Sequence, residues 1–372
     1  MQRSLLLLTI IALFFYSEIK AQTLRQAGDG LFLMGVAVNS RQTEGARPAE
    51  AAQISKHFNA IVPENCMKSA EIHPEEHLYR FEATDKMVAF GENNQQVITG
   101  HCLIWHSQLA PWFCVDEQGK PVSAELLKAR MREHIFTIMT RYKGRIKGYD
   151  VVNEALEDNG SYRNSPFYQI LGKDFIRLAF EYAHEADPEA ELYYNDYSMT
   201  IPSKCDAVVQ MVQELKAAGC RIDAVGMQGH VHMDEPSTEA FETSILKLAA
   251  AGVKVLITEW DISILPNPYR HTGANIADRF SYSSESDPYR QGVPDEVMQA
   301  WEQRVTDLFK LFLKHHEHID RVTLWGLNDG NSWRNNFPIR GRKDYALLFD
   351  RNNQPKAVVQ QMIELALEAK SK

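Results

Sequence analysis

Two glutamates, Glu154 and Glu259, each follow an apolar run that suits a buried strand: YDVVN precedes the first and VKVLIT the second. Two carboxyl groups facing each other across a sugar-sized gap can break a glycosidic bond. One protonates the leaving oxygen, while the other attacks the anomeric carbon or activates water. One carboxyl must then stay protonated and the other ionised, so their surroundings must differ.

His230 and Asp261 are candidates for producing that difference. A histidine held by Asp261 and donating to Glu259 would keep Glu259 ionised and correctly oriented. Taken alone, a strand-end glutamate or histidine is more often a solvated or structural residue than a catalyst. The surrounding elements therefore decide between these interpretations.

Helices alternate with short apolar strands along the chain. Ser203 is expected to cap a helix that ends at Gly219, and Ser237 or Thr238 a second helix that ends at Gly252. The predicted strands cover residues 31–38, 59–65, 96–105, 148–154, 190–196, 222–228, 253–259 and 320–326. Eight such strands alternating with amphipathic helices indicate a parallel sheet, closed into a single (β/α)₈ barrel. An open doubly wound sheet is the alternative, but it calls for a glycine-rich turn after the first strand, and VAVNSRQTEG is not one.

Polar residues are concentrated where the predicted strands end. They are Glu64, Asn65, Lys68, His101, Trp105, His106, Asn153, Glu154, Asn195, Asp196, Gln228, His230, Glu259, Asp261 and Trp325. In a barrel the carboxyl ends of the strands meet at one mouth, where active sites are built. Polar residues at almost every strand end therefore predict one shared site.

Composition excludes several classes of protein. The chain has 372 residues and a net charge of −9 without basic runs, so we expect no nucleic-acid partner. Its five cysteines are few for the length and show no CxxC spacing, so they indicate neither a disulfide scaffold nor a zinc site. At most one or two disulfide bridges are expected. We expect no metal and no cofactor.

The first 21 residues combine Arg3, an apolar run too short to span a bilayer, and Ala21 before a cleavage point. They predict a secretory signal, with residues 22–372 as the catalytic domain and a secreted or periplasmic location. No later segment is long and apolar enough to span a membrane. We predict a monomer.

Six motifs resemble those of glycoside hydrolase family 10, the retaining endo-β-1,4-xylanases, in the order the family has them. They are VPENCMKSAEIHP, ITGHCLIWHSQLAPW, YDVVNEAL, GMQGH, ITEWDI and LWGLNDGNSWR. The resemblance runs from about Leu31 to about Leu367. It implies a (β/α)₈ barrel, activity on xylan and xylo-oligosaccharides, an acid/base on the fourth strand and a nucleophile on the seventh.

Carried over by motif, the resemblance makes Glu154 the acid/base and Glu259 the nucleophile. A retaining enzyme places these carboxyls roughly 5 Å apart. The resemblance also assigns sugar contacts to Glu64, Asn65, Lys68, His101, Trp105, Asn153, Gln228, His230, Trp325 and Trp333, with Asp261 supporting His230. In the family the tryptophan at Trp333 crowds the space of a hexose CH₂OH group, which favours xylose.

Three positions depart from the family pattern: Tyr149 stands where Trp is frequent, Trp260 where Leu is frequent, and Cys102 where Thr is common. We expect bulky Trp260, next to the nucleophile, to reshape a neighbouring subsite. The polar segment 265–295 is expected to line the aglycone side.

Other functions stay open at this point. His101, His106 and the run HVH at 230–232 would also suit a metal-dependent barrel hydrolase. A non-catalytic polysaccharide-binding protein would keep the same groove, although both glutamates argue against it. A third alternative is a related barrel glycosidase whose preferred substrate is β-glucan.

Overall fold

The computed structural model describes residues 23–268 and 280–371. The predicted signal segment, 1–21, lies outside these residues and stays a prediction. The polar segment 265–295 is described only in part.

Parallel strands form the centre of the described molecule. They are β1 (Leu33–Val38), β2 (Ala60–Pro63), β3 (Val97–Trp105), β4 (Gly148–Asn153), β5 (Glu191–Asp196), β6 (Ala224–Met227), β7 (His230–His232), β8 (Lys254–Ser263) and β9 (Ile319–Leu324). Eight of them pair in the order β1-β2-β3-β4-β5-β6-β8-β9, and β9 pairs again with β1. The predicted closed barrel is confirmed. The short strand β7, which was not predicted, pairs with the outer part of β8.

Helices surround the barrel. The described residues form α1 (Leu24–Gly28), α2 (Ser40–Thr43), α3 (Pro48–His57), α4 (Ser69–Ile72), α5 (Glu82–Asn93), α6 (Ala124–Arg141), α7 (Pro166–Leu171), α8 (Asp174–Ala186), α9 (Pro202–Ala217), α10 (Thr238–Ala250), α11 (Asp295–Lys314) and α12 (Ala357–Lys370). Short 3₁₀ turns occupy Ser284–Ser286 and Trp333–Asn335. Within the described ranges, no helix has the length and apolar character needed to cross a bilayer.

The predicted caps are partly correct. Ser237 caps α10, because its Oγ accepts from the main-chain N–H of Ala240 at 3.2 Å. The prediction for Ser203 is wrong, because α9 begins at Pro202, whose fixed φ and missing N–H suit the first helical position. The Ser203 hydroxyl instead donates to the carbonyl of Asp158 at 2.7 Å.

The core lies between the barrel and the helices. Val208, Val212 and Leu215 of α9 are buried, as their helical spacing predicts. All five cysteines fall within the described residues, and each is free rather than bridged. Packing rather than cross-linking therefore holds the elements that carry the site.

Candidate active site

The carboxyl ends of the strands open into a cleft of about 490 Å³. All the predicted catalytic and sugar-binding side chains line it: Glu64, Asn65, Lys68, His101, Trp105, Asn153, Glu154, Gln228, His230, Glu259, Trp325 and Trp333. Asp261 lies behind His230, outside the lining. The barrel thus brings together residues that are far apart in sequence.

Glu154 follows the last residue of β4. Its backbone turns into the left-handed region, with φ of 57°, and its N–H donates to the carbonyl of Asn195 at 2.9 Å. The carboxyl group receives two neutral donors, Gln228 Nε2 on Oε1 at 2.9 Å and Trp105 Nε1 on Oε2 at 2.8 Å. Both oxygens are therefore fixed in position.

The surroundings of Glu154 favour its neutral form. Burial raises the pKa of Glu154, and the negative charges of Asp196 and Glu259 raise it further. The hydrogen bonds from Gln228 and Trp105 oppose this shift without cancelling it. A carboxyl group with a raised pKa is suited to proton donation near neutral pH.

A buried ion pair lies behind Glu154. Asp196 and Lys204 have no exposed surface, and Lys204 Nζ is 2.8 Å from Asp196 Oδ1. Tyr194 Oη donates to Asp196 Oδ2 at 2.5 Å and accepts from the N–H of Ala155 at 3.1 Å. Burial raises the pKa of Asp196 while Lys204 lowers it. The pair is thus linked to the peptide that follows the acid/base candidate.

Glu259 has a different set of neighbours. Asn195 Nδ2 donates to its Oε1 at 2.8 Å, and His230 Nε2 lies 3.1 Å from its Oε2. Burial alone would raise the pKa of Glu259. The hydrogen bond from His230, the electrostatic influence of the neighbouring His101 and His230 rings and the Asn195 amide outweigh burial and lower it. An ionised carboxylate is what nucleophilic attack requires.

His230 is held between two carboxylates. Its Nδ1 lies 3.0 Å from Asp261 Oδ1, and Asp261 also accepts from Arg334 Nε and Trp333 Nε1, both at 2.7 Å. Burial disfavours the cation, but Asp261 and Glu259 outweigh it and raise the pKa of His230 to about 9. Burial also opposes ionisation of Asp261, yet Arg334 and His230 lower its pKa to about 2. His230 is therefore cationic at neutral pH.

A bulge in β8 aims Glu259 into the cleft. The pairing of β8 with β9 shifts register between Ile257 and Trp260. As a result two consecutive residues of β8 both contact the Asn195 side chain. Thr258 Oγ1 donates to Asn195 Oδ1 at 2.6 Å, and Glu259 accepts from Asn195 Nδ2. In a regular strand these neighbours would point to opposite faces.

Asn195 connects both halves of the site. The same amide nitrogen that donates to Glu259 donates to Asn153 Oδ1 at 3.0 Å. Gly226 makes room for it, because a Cβ there would lie 2.3 Å from Asn195 Oδ1. One fully buried amide thus orders residues from β4, β5 and β8.

The short strand β7 depends on Gly229. This glycine has φ of 80° and separates Gln228 from His230. The kink allows Gln228 to reach Glu154 while β7 sets His230 opposite Asp261 in register. A residue with a side chain would adopt this φ only with strain.

Lys68 anchors the other end of the cleft. Its Nζ donates to Asn65 Oδ1 at 3.0 Å and to Gln108 Oε1 at 2.8 Å, and lies 5.0 Å from the Trp105 ring centroid. Burial raises the pKa of neighbouring Glu64, and Lys68 partly offsets that. These groups present fixed polar atoms to a hydroxyl-rich ligand.

Tryptophans form the cleft walls. Trp325 lies edge-on to His101 at 5.2 Å, and Trp333 lies 4.7 Å from the His230 ring. Indole faces suit the apolar C–H face of a pyranose. The arrangement matches a groove for a sugar chain.

Two supporting residues were missed from the sequence. Asp150 Oδ2 lies 2.8 Å from His101 Nδ1, and Arg334 contacts Asp261. Asp150 stands in the middle of a buried strand, which was an available signal, since an unpaired charge is rarely buried. Asn195, which contacts Glu259, was already among the polar strand-end residues singled out in the sequence. No feature of the sequence around Arg334 indicated its role.

The expectation for Trp260 is wrong. Its side chain is buried between the barrel and α11, with its ring 5.3 Å from Phe312, and it does not line the cleft. Tyr149 and Cys102 are also buried outside the lining. The three departures from the family pattern therefore affect packing rather than the cleft.

Two of the four histidines that raised the question of a metal pair with carboxylates, and a third, His232, lies 3.2 Å from the carbonyl of Leu265 through its Nδ1. His101 pairs with Asp150, and His230 with Glu259 and Asp261. Within residues 23–268 and 280–371, no group of three His, Cys, Asp or Glu is arranged to hold a metal ion.

A closed parallel barrel with two buried carboxyl groups in unlike surroundings, inside a tryptophan-walled cleft, defines the class of barrel glycoside hydrolases. Comparison with known families agrees. The chain belongs to glycosyl hydrolase family 10, whose family model matches residues 23–365.

Similar proteins share this fold. The chain is 50% identical over 334 residues to endo-1,4-β-xylanase A of Xylanibacter ruminicola, covering 90% of each chain. A GH10 endoxylanase retrieved from a sugarcane soil metagenome superposes with a TM-score of 0.89 and 44% identity, covering 92% of this chain and 99% of that one. Xylanase XynB of Paenibacillus barcinonensis, in complex with a conduramine derivative, gives a TM-score of 0.82 and 35% identity over 93% and 99%.

Proposed function

We propose that this protein is an endo-1,4-β-xylanase that hydrolyses internal bonds of xylan with retention of anomeric configuration. The relatives named as endo-1,4-β-xylanases support the activity. The observation that carries the assignment of roles is the difference between the two carboxyl groups. Glu154 receives neutral donors and has a raised pKa, whereas Glu259 contacts cationic His230 and has a lowered pKa.

In the first step the Glu259 carboxylate attacks the anomeric carbon, and the C–O bond to the leaving sugar breaks. Glu154 transfers its proton to the departing oxygen, so that the leaving sugar departs as a neutral alcohol. The product is a covalent ester between the sugar and Glu259. Glu154 is then an anion and no longer suited to donation.

In the second step the Glu154 carboxylate takes a proton from water, which attacks the anomeric carbon and releases Glu259. Two displacements at the same carbon restore the original configuration. Asn153 and Asn195 bridge both halves of the site, and Asn153 is proposed to contact the 2-hydroxyl of the sugar at the cleavage point. His230 and Asp261 keep Glu259 ionised between turnovers.

The remaining lining residues are proposed to hold the sugars on the glycone side. Glu64, Asn65 and Lys68 clamp the second sugar, while His101 and Trp105 form the floor. Gln228 contacts both catalytic residues, since its side chain donates to Glu154 and its main-chain carbonyl accepts from the N–H of Glu259. Trp325 and Trp333 form the walls, with Trp333 restricting the site to pentoses.

The test is hydrolysis of β-1,4-xylohexaose followed by proton NMR of the new reducing ends. We expect the β-anomer first, relaxing later to the equilibrium mixture. The α-anomer first would overturn the assignment of Glu259 as nucleophile. Binding of xylohexaose without cleavage would indicate a polysaccharide-binding protein, and cleavage of β-glucan oligosaccharides alone would indicate a different specificity. Loss of activity with a strong chelator would indicate a metal-dependent hydrolase.

We also propose that residues 1–21 are a signal removed on export to the periplasm or medium. Their charged start and short apolar run support this. N-terminal sequencing of the exported protein should begin at Gln22. A cell-associated product that retains residue 1 would contradict the proposal.

A further inference from the structure

A second cavity of about 280 Å³ lies beside the end of the cleft that holds Lys68. Its lining includes Asn39, Arg41, Arg47, Glu50, Asn65 and Asn331, and we refer to it as the arginine pocket. Asn65 lines both the arginine pocket and the cleft. The two cavities are therefore neighbours that share one wall residue.

The fold places the arginine pocket at the barrel mouth. Asn39 and Arg41 directly follow β1, Arg47 precedes α3, and Asn65 follows β2. Neighbouring parallel strands direct the segments after their carboxyl ends to the same face of the barrel. The pocket is thus built from the same kind of loops as the active site.

The two arginines have no partner of opposite charge. Both are exposed, and neither guanidinium makes a hydrogen bond or ion pair with any other residue in the described part of the chain. The buried carboxylate of Glu50 is already engaged, since its Oε2 accepts from Gln42 Nε2 at 2.8 Å and Asn331 Nδ2 at 2.9 Å. These donors are neutral amides, so the pocket holds two arginines at its rim against one buried carboxylate and keeps a net positive charge.

An unused acceptor lies in the same wall. Asn39 Oδ1 is buried without a hydrogen-bond donor among the described residues. The N–H of Gln42 donates to the main-chain oxygen of Asn39 at 3.0 Å, and the Gln42 side chain accepts from the N–H of Asn39 at 2.9 Å. A buried acceptor without a donor costs free energy, which a ligand hydroxyl would recover.

A ligand for the arginine pocket must combine hydroxyl groups with a negative charge. The xylose units of a xylan backbone carry no ionisable group, so the charge has to come from a substituent. Arginine binds carboxylates through parallel N–H donors. We propose that the arginine pocket binds an acidic sugar branch, a uronic acid attached to the backbone, so that acid-branched chains are preferred substrates.

This inference rests on the proposed xylanase function, and the experiment separates the two. The substrates are a xylo-oligosaccharide with one uronic acid branch and the same molecule with its carboxyl group reduced to an alcohol. Unbranched xylohexaose is assayed alongside. If xylohexaose is not cleaved, the proposed function fails; if it is cleaved without any preference for the acidic branch, only the present inference fails.

For the unaltered protein we expect kcat/KM to be about tenfold higher on the acidic substrate than on the reduced one, because two exposed charge-assisted contacts are each modest. Arg41→Gln and Arg47→Gln should each lower this ratio about threefold, and the double variant should bring it near one. The preference should also fall as salt increases.

Arg177→Gln is the matched control, since it removes the same charge from α8 on the outer helical layer. It should leave the ratio unchanged. Thermal midpoints establish that each variant is folded, and the ratio cancels any loss common to both substrates. A ratio near one in the unaltered protein, or a tenfold ratio that persists in the double variant, would overturn the proposal.

Discussion

Glu154 and Glu259 are both buried in one cleft, yet their neighbours differ in charge. Glu154 accepts from neutral Gln228 and Trp105 and has Asp196 nearby, whereas Glu259 contacts cationic His230. Burial disfavours the ionised form of both carboxyl groups. Since burial acts on both, the charge of the neighbouring groups, negative beside Glu154 and positive beside Glu259, decides which carboxyl group keeps its proton.

The largest effect should follow removal of the nucleophile. Glu259→Ala is expected to lower kcat on xylohexaose by about 10⁵-fold, because no covalent intermediate can form. Added azide should restore part of the rate, giving the α-glycosyl azide, since azide would attack from the vacated side. A β-glycosyl azide, or a loss below tenfold, would contradict the role.

Glu154→Ala should have a smaller effect that depends on the leaving group. On xylohexaose we expect a loss of about 10³-fold, since the departing oxygen receives no proton. An aryl xyloside with an acidic phenol needs no protonation, and its first step should be nearly unaffected. Azide should now give the β-glycosyl azide. Equal losses on both substrates would argue against proton donation.

Removing the positive charge beside Glu259 should move one limb of the pH profile. His230 helps to lower the pKa of Glu259, so His230→Gln should raise that pKa and shift the acid limb of kcat/KM to higher pH. Glu259 must be ionised to react, which fixes the sign. The alkaline limb serves as the internal reference, and an unmoved acid limb would refute the role of His230.

Removing the negative charge beside Glu154 should move the opposite limb. Asp196 adds to the raised pKa of Glu154, so Asp196→Asn should lower that pKa and bring the alkaline limb to lower pH. Because this variant leaves Lys204 buried and unpaired, folding is checked with Asp196→Asn/Lys204→Met. A shift to higher pH in either variant would contradict this electrostatic account.

The smallest effect on activity is expected at Trp260. Trp260→Leu should lower the free energy of unfolding by about 2 kcal/mol through lost packing against Phe312, with kcat/KM unchanged. Urea denaturation and steady-state kinetics measure the two quantities. Trp105→Phe is the converse variant, because it removes a donor to Glu154 and should reduce activity instead. A change in KM for Trp260→Leu would indicate that Trp260 does influence a sugar-binding subsite.

The sequence was sufficient for features that depend on local pattern. Apolar runs ending in polar residues located the strands to within a few residues, and their number predicted the closed barrel. Because all strand ends of a parallel barrel meet at one mouth, the lining of the cleft followed from the same pattern. Glu154, Glu259 and Gln228 illustrate this.

Features that depend on tertiary contacts were not accessible. The register shift at Ile257–Trp260 arises from pairing between β8 and β9, and it sets the direction of Glu259. The partner of His101 is Asp150 on another strand, which no local spacing reveals. Trp260 was misjudged because only its proximity along the chain to Glu259 was weighed. Consecutive strand residues point to opposite faces, so a Glu259 that faces the cleft directs Trp260 toward the helices.

The packing of α1 against α12 brings the two ends of the described chain together. Lys370 Nζ donates to the carbonyl of Gln26 at 3.1 Å. Helix α1 leads directly into the amino end of β1, so this junction lies at the base of the barrel, opposite the cleft. A short linker across it would make the chain circular and allow new termini in a surface loop. A tether or fused module placed there would leave the mouth free for a long polymer.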